Sequence, residues 1–197
     1  MVGPAIGVLA LQGDFDAHRR LLEAEGASVR EIRRCRELDA VEGLVLPGGE
    51  SSALLKLMDD EPWMDAIRAF HARGGALLGT CAGAILLARR VVPEQPSLGL
   101  LDVTVARNAY GRQRDSFEAA IEPAGGLPPL AGMFIRAPRI LECGPAVEVL
   151  ARLHGEPVAV REGRVVAATF HPEIAGSAAL HRHWLGLLGG AAARDVA

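Results

Sequence analysis

Ala76-Leu77-Leu78-Gly79-Thr80-Cys81-Ala82-Gly83-Ala84-Ile85-Leu86-Leu87 decides the fold of this chain. A short apolar run enters, a G-x-C-x-G turn follows, and a second apolar run leaves. The first run suits a strand buried on both faces, as in a parallel sheet. The second has the composition of a buried helix. A strand, a tight turn and a helix with a nucleophile at the tip form a nucleophile elbow, here with sulfur in place of a serine oxygen. At the start of a helix, unpaired N–H groups and the macrodipole favour the thiolate, which is the reactive form. Gly79 and Gly83 remove side chains where strand and helix pass closely. The Ala82 N–H points toward a developing oxyanion. Taken alone, a free cysteine is more often a small buried apolar residue, so Cys81 needs a base to count as a nucleophile.

Upstream of the elbow the alternation of strands and helices repeats. Residues 5–11 are apolar throughout, and Asp14 is placed to cap a helix over 15–25 that Gly26 ends. Segments 28–32 and 43–46 read as strands. Ser51 or Ser52 is placed to cap a short helix reaching 59, and Pro62 suits the first turn of a helix to 73. Strand 76–79 and helix 82–90 follow. That order predicts a doubly wound α/β fold with a mostly parallel sheet. The second half differs. Residues 102–107 alternate with period two, and 116–121, 133–135, 147–153, 157–161 and 164–169 read as further short strands. Glu162-Gly163 reads as a hairpin turn. A closing helix is expected over 178–188, with fraying beyond it. Antiparallel strands are therefore expected on a parallel core, within one domain spanning 1–197.

The base lies some ninety residues past the thiol, in Thr169-Phe170-His171-Pro172-Glu173. Pro172 pushes His171 toward extended backbone, where residues i and i+2 point the same way. Glu173 should then meet one ring nitrogen of His171 and leave the other for sulfur. The chain order of nucleophile, histidine and acid differs from that of α/β-hydrolases, which place the acid before the histidine. His18, His71, His154, His181 and His183 read as structural hydrogen-bonding residues. His181 and His183 are two apart on a helix and so face different ways, which argues against a metal pair. Pro47-Gly48-Gly49-Glu50-Ser51 ends an apolar strand, where bare glycines let backbone N–H groups approach a ligand. Ligands bind at the carboxyl ends of strands in open α/β sheets. Glu50 suits either the ammonium of an amino acid or the N-terminus of the next helix.

The totals exclude several classes. Half of the 197 residues are hydrophobic and the net charge is −3, so neither nucleic acid nor an anionic membrane is an expected partner. Arg30, Arg33, Arg34 and Arg36 are interrupted by Glu31 and flanked by Glu37, which suits a solvated face. No apolar run reaches the ~18 residues that a membrane-spanning helix needs. The first apolar stretch meets Gln12 and Asp14 and reads as a buried strand, not a signal peptide. Cys35, Cys81 and Cys143 are an odd set without a tight pattern, which fits a reducing cytoplasm.

At these residues the chain resembles the class I, triad glutamine amidotransferases. In that family a G-x-C-x-G elbow and a downstream His-Pro-Glu supply the triad, and a Pro-Gly-Gly loop supplies the second oxyanion donor. Longer segments narrow the resemblance to the glutaminase subunits of pyridoxal 5′-phosphate synthases. They are Ala10-Leu11-Gln12-Gly13, Pro47-Gly48-Gly49-Glu50-Ser51-Ser52, Leu98-Gly99-Leu100-Leu101, Arg107-Asn108-Ala109-Tyr110-Gly111-Arg112-Gln113, Asp115-Ser116-Phe117-Glu118 and Phe134-Ile135-Arg136-Ala137-Pro138, beside the elbow and the His-Pro-Glu element. The resemblance spans nearly the whole chain.

It implies hydrolysis of L-glutamine to glutamate and ammonia, with Cys81 as nucleophile, His171 as proton shuttle and Glu173 as its orienter. It implies an oxyanion hole from the Gly49 and Ala82 N–H groups. A glutamine site lined by Gly48, Gly49, Glu50, Arg107, Ile135 and Arg136 follows from the same pattern, without metal or cofactor. Two guanidinium groups also suit a carboxylate physically. The implied partner is a (β/α)₈-barrel synthase subunit that takes the ammonia and builds the cofactor from ribose 5-phosphate and glyceraldehyde 3-phosphate. Such a glutaminase is expected to idle until that partner docks, with Gln12 placed to sense it.

Three other readings compete. A glutaminase serving another synthase, such as that of the imidazole glycerol phosphate pathway, shares the triad but lacks the Phe-Ile-Arg-Ala-Pro segment. A cysteine peptidase or esterase of related fold gives Glu50 and the two arginines no reason to converge. A regulatory subunit with a dead site would lack one of Cys81, His171 or Glu173, and all three are present.

Overall fold

The computed structural model describes residues 3–107 and 116–189. Its elements are β1 (Ala5–Leu9), α1 (Phe15–Ala24), β2 (Ser28–Ile32), β3 (Gly43–Leu46), α2 (Ser51–Leu57), α3 (Trp63–Ala72), β4 (Ala76–Thr80) and α4 (Ala82–Leu87). There follow β5 (Ala88–Val92), β6 (Leu101–Ala106), β7 (Phe117–Pro123), β8 (Leu130–Phe134), β9 (Arg139–Cys143), β10 (Glu148–Leu153), β11 (Glu156–Glu162), β12 (Val165–Ala168) and α5 (Ala179–Gly189). Short 3₁₀ turns occupy Cys35–Ala40 and Met58–Asp60.

Nine strands form one sheet in the order β2-β1-β3-β4-β12-β11-β10-β7-β8. The five strands from β2 to β12 are parallel, and β11, β10, β7 and β8 continue the sheet by antiparallel pairing. The expected parallel core with antiparallel additions is therefore present. Strand residues alternate between two buried faces. Leu44, Leu46 and Leu77 pack with Trp63, Ile67 and Phe70 of α3 on one side. Val45 and Leu78 pack with Leu22 of α1 and Leu180 and Trp184 of α5 on the other. Both faces being covered is why β3, and β4 up to Thr80, carry no polar side chain, and their carboxyl ends lie at one rim of the sheet.

The structure corrects three details. The helix expected over 82–90 stops at Leu87, and 88–92 become β5. There Val91 and Val92, β-branched and better suited to a strand, pair in parallel with β6. β6 also pairs with β9, giving a separate three-stranded sheet in the order β5-β6-β9. β9 carries only a brief apolar stretch between charged residues, so periodicity does not announce it. Finally, Asp14 precedes α1 without a side-chain capping bond, and α2 is capped by Glu50, not by either serine. The segment Asn108–Gln113, Asp115 and the tail expected to fray, 190–197, lie outside the described residues.

Candidate active site

β4 ends at Thr80, and the chain turns at Cys81 with φ 47° and ψ −103°. Positive φ is uncommon for a residue with a Cβ and marks strain held by its surroundings. Those surroundings are visible. Cys81 N donates to Ala168 O of β12 at 2.9 Å, and Ile85 N donates to Cys81 O at 3.1 Å. A Cβ on Gly83 would lie 1.9 Å from Leu46 O, and one on Gly79 would lie 2.6 Å from the Gly83 carbonyl. Only bare backbone lets α4 start this close to β3 and β4. Cys81 is 6% exposed, and the Ala82 N–H belongs to the first turn of α4, where no intrahelical acceptor exists.

His171 is held by β8, the strand at the far end of the sheet order. Past the end of β12, its N–H donates to Met133 O of β8 at 2.8 Å and its carbonyl accepts from Met133 N at 3.3 Å. The ring Nδ1 lies 2.7 Å from Glu173 Oε1, both groups being buried. The i, i+2 spacing thus meets as the sequence suggests. A Cβ on Gly48 would lie 2.2 Å from His171 Cε1 and 3.2 Å from Cys81 Cβ. The glycine loop after β3 therefore lies against both the nucleophile and the base.

The electrostatics follow from this packing. Burial works to lower the His171 pKa, but hydrogen bonds to Cys81 and Glu173 and the charges of both outweigh it and raise the pKa to about 10. The imidazolium form of the ring is thereby favoured beside the sulfur. Burial also opposes the Glu173 charge. The imidazoles of His18 and His171 prevail, and the carboxyl stays well below the usual range.

A cavity of about 140 Å³ opens over the thiol, of a size for an amino acid. Gly49, Glu50, Cys81, Arg107, Ile135, Arg136 and His171 line it, together with Asp14, Ser51 and Ile85. Gly48 and Ala82 do not line it; Gly48 sits behind, against the triad. Arg136 has φ 44°, a second strained residue with a side chain at the cavity. Two guanidinium groups and two carboxylates around one small cavity complement a zwitterion. Glu50 accepts from Ser52 N at 3.0 Å and Ala53 N at 2.7 Å, which holds its pKa down and fixes it as the α2 cap. It still faces Arg107, whose Nη2 is 3.8 Å away and donates to Ser52 Oγ at 2.9 Å. Gln12 Nε2 donates to Glu50 O at 2.9 Å, tying the glycine loop to the end of β1.

Sequence reasoning missed two groups. Asp14 sits at the cavity, with ligand atoms of Asp14, His171 and Glu173 all within 4.8 Å of one another. Its place just past the carboxyl end of β1 was the available signal. His18, Thr80 and His181 lie behind Glu173, joined by contacts between residues far apart in sequence. No local pattern announces those.

The model of the SNO glutamine amidotransferase family matches residues 8–186. The pyridoxal 5′-phosphate synthase subunit PdxT of Deinococcus radiodurans is 52% identical over 190 residues, covering 93% of this chain and 97% of that one. PdxT of Thermus thermophilus is 49% identical over 187 residues, with 93% and 97% covered. A crystal structure described as a glutamine amidotransferase superposes with a TM-score of 0.87 at 48% identity, covering 93% of this chain and 98% of the other. PurLQS from Thermotoga maritima, 17% identical with a TM-score of 0.72, shares the fold.

Proposed function

The chain belongs to the SNO glutamine amidotransferase family, and we propose that its glutaminase chemistry runs through Cys81, His171 and Glu173. The protein hydrolyses glutamine to glutamate and supplies ammonia for vitamin B6 synthesis, as a subunit of pyridoxal 5′-phosphate synthase. The Cys81 thiolate attacks the side-chain amide carbon. The tetrahedral oxyanion takes hydrogen bonds from the Gly49 and Ala82 N–H groups, each donor being worth ~10²–10³ in kcat. His171 gives its proton to the departing nitrogen, and ammonia leaves a thioester on Cys81. Water then attacks the thioester, His171 accepts its proton, and glutamate departs as the thiolate reforms. Glu173 keeps the His171 ring oriented through both halves.

Arg107 and Arg136 take the substrate carboxylate, and Glu50 faces its ammonium while capping α2. Ile135 and the backbone of Gly49 complete the wall, with Gly48 behind it against His171 and Cys81. The partner synthase subunit receiving the ammonia is a (β/α)₈ barrel, and the setting is the cytoplasm, consistent with free Cys35, Cys81 and Cys143. We take residues 1–197 as one glutaminase domain.

The 2.7 Å contact between His171 Nδ1 and Glu173 Oε1, beside a cysteine at a strained elbow, carries this proposal. Replacing Cys81 with Ala should abolish glutamate release while leaving the fold and partner binding intact. Release at the wild-type rate would overturn the triad. A glutamine-like electrophile should label Cys81 before Cys35 and Cys143, read by mass spectrometry of the adduct.

A further inference from the structure

Three groups buried behind the triad have no part in the steps above. His18, on α1, and His181, on α5, are both fully buried, as is Thr80 at the end of β4. His18 Nδ1 lies 2.8 Å from His181 Nε2. Its other nitrogen, Nε2, lies 3.1 Å from Thr80 Oγ1 and 3.4 Å from Glu173 Oε1. That oxygen is the one that holds His171 Nδ1. A continuous line therefore runs from His181 through His18 and Glu173 to His171.

The protons in this line have a definite arrangement. His181 Nδ1 has no hydrogen-bond partner among the described residues. A buried N–H without an acceptor is rarer than a buried acceptor without a donor, so the His181 proton sits on Nε2 and is donated to His18 Nδ1. His18 Nε2 then carries a proton of its own, directed between Thr80 Oγ1 and Glu173 Oε1. Glu173 Oε2 is buried and has no hydrogen-bond partner among the described residues. The carboxylate is accordingly held by one oxygen, from two sides, by two imidazoles.

Burying two imidazoles among apolar side chains is unfavourable, since each polar group loses its hydration. Leucine or phenylalanine would fill the same space between α1, α5 and β4 without that loss. The groups served by the pair are the triad acid and the residue immediately before the nucleophile. We propose that His18, backed by His181, is a positioning residue for the glutaminase reaction. It fixes the rotation of the Glu173 carboxylate so that Oε1 stays on His171 Nδ1 while the ring exchanges protons on its other side. This deepens the function proposed above and rests on it.

The test separates the two nitrogens of His18. A Gln side chain carries its amide to the place of Nε2, whereas Asn reaches only the place of Nδ1. His18→Gln, His18→Asn and His18→Phe would be assayed for glutamate release in the complex with the synthase subunit, beside the wild type. Thermal midpoints and complex formation would be measured on the same samples. The expected result is a 10- to 100-fold fall in kcat for His18→Asn and His18→Phe, with KM for glutamine within about twofold of wild type. His18→Gln should recover most of that loss, although its midpoint falls with the others. Equal kcat in all folded variants overturns the proposal and leaves the histidines a structural role. So does a loss that follows the thermal midpoint and is not rescued by Gln. Absence of glutamate release from the wild-type complex would instead overturn the glutaminase reading itself.

Discussion

The imidazole of His171 shows how closely this site depends on single residues. Its pKa is raised to about 10 although burial alone would depress it, because Cys81 and Glu173 both favour the imidazolium. Activity that needs this proton should persist at neutral pH and fall on an alkaline limb near that value. Glu173→Gln removes one hydrogen bond and one charge that raise the pKa, so the alkaline limb of kcat/KM should move to lower pH. The same change lets His171 adopt the wrong tautomer and should lower kcat by roughly 10²–10⁴. A pH–rate profile of the variant with its synthase partner checks both, and an unmoved limb would show that Glu173 does not govern the ring. This pair was legible because proline and i, i+2 spacing are local. His18 was not: it reaches Glu173 from 155 positions away in the chain, and they meet only once α1 has packed on the sheet face beside the turn that follows β12. Glu50 was legible as an ambiguity, and two backbone hydrogen bonds resolve it as the α2 cap.

Among the elements, α4 is positioned by what it lacks. With Leu46 O 1.9 Å from where a Gly83 Cβ would be, a methyl there must push the helix start away from β3. Gly83→Ala should destabilise the protein by ~2–3 kcal/mol through overpacking against backbone. It should also displace Cys81 and Ala82 together, so glutaminase activity should fall even below the melting temperature. Equal stability and rate by calorimetry and assay would mean that the elbow has slack. α2 offers a milder case. Glu50→Ala loses the cap, worth ~1 kcal/mol, and it also removes a carboxylate from the cavity. KM for glutamine should rise while the His171 limb stays in place. The element patterns were legible wherever both sheet faces are buried, since β3, and β4 up to Thr80, then carry no polar side chain. They were least legible at β5 and β9, whose three-stranded sheet is made by pairing with β6 and not by any periodicity of their own.

For the molecule as a whole, the buried imidazole pair couples the site to stability. Burial foremost, and then the adjacent His18, depress the His181 pKa from 6.5 to about 3, against a smaller pull from Glu173. In the folded protein His181 therefore stays neutral across mildly acidic pH, whereas in the unfolded chain it takes up a proton near its ordinary value. The unfolded state then binds more protons between those two values, so stability falls as pH falls through that window. The slope is ~1.4 kcal/mol per pH unit for one such group, which makes ~2 kcal/mol between pH 6.5 and 5. That is a large share of the ~5–15 kcal/mol that holds a domain folded. Urea midpoints should accordingly drop between pH 7 and 5. A His181→Leu variant should show a shallower drop, because leucine binds no proton in either state. If both proteins lose stability in parallel, the acid sensitivity lies elsewhere in the fold. A shallower drop would instead show that α1 and α5 keep these imidazoles beside Glu173 at the expense of acid stability, which packing alone gives no reason to do.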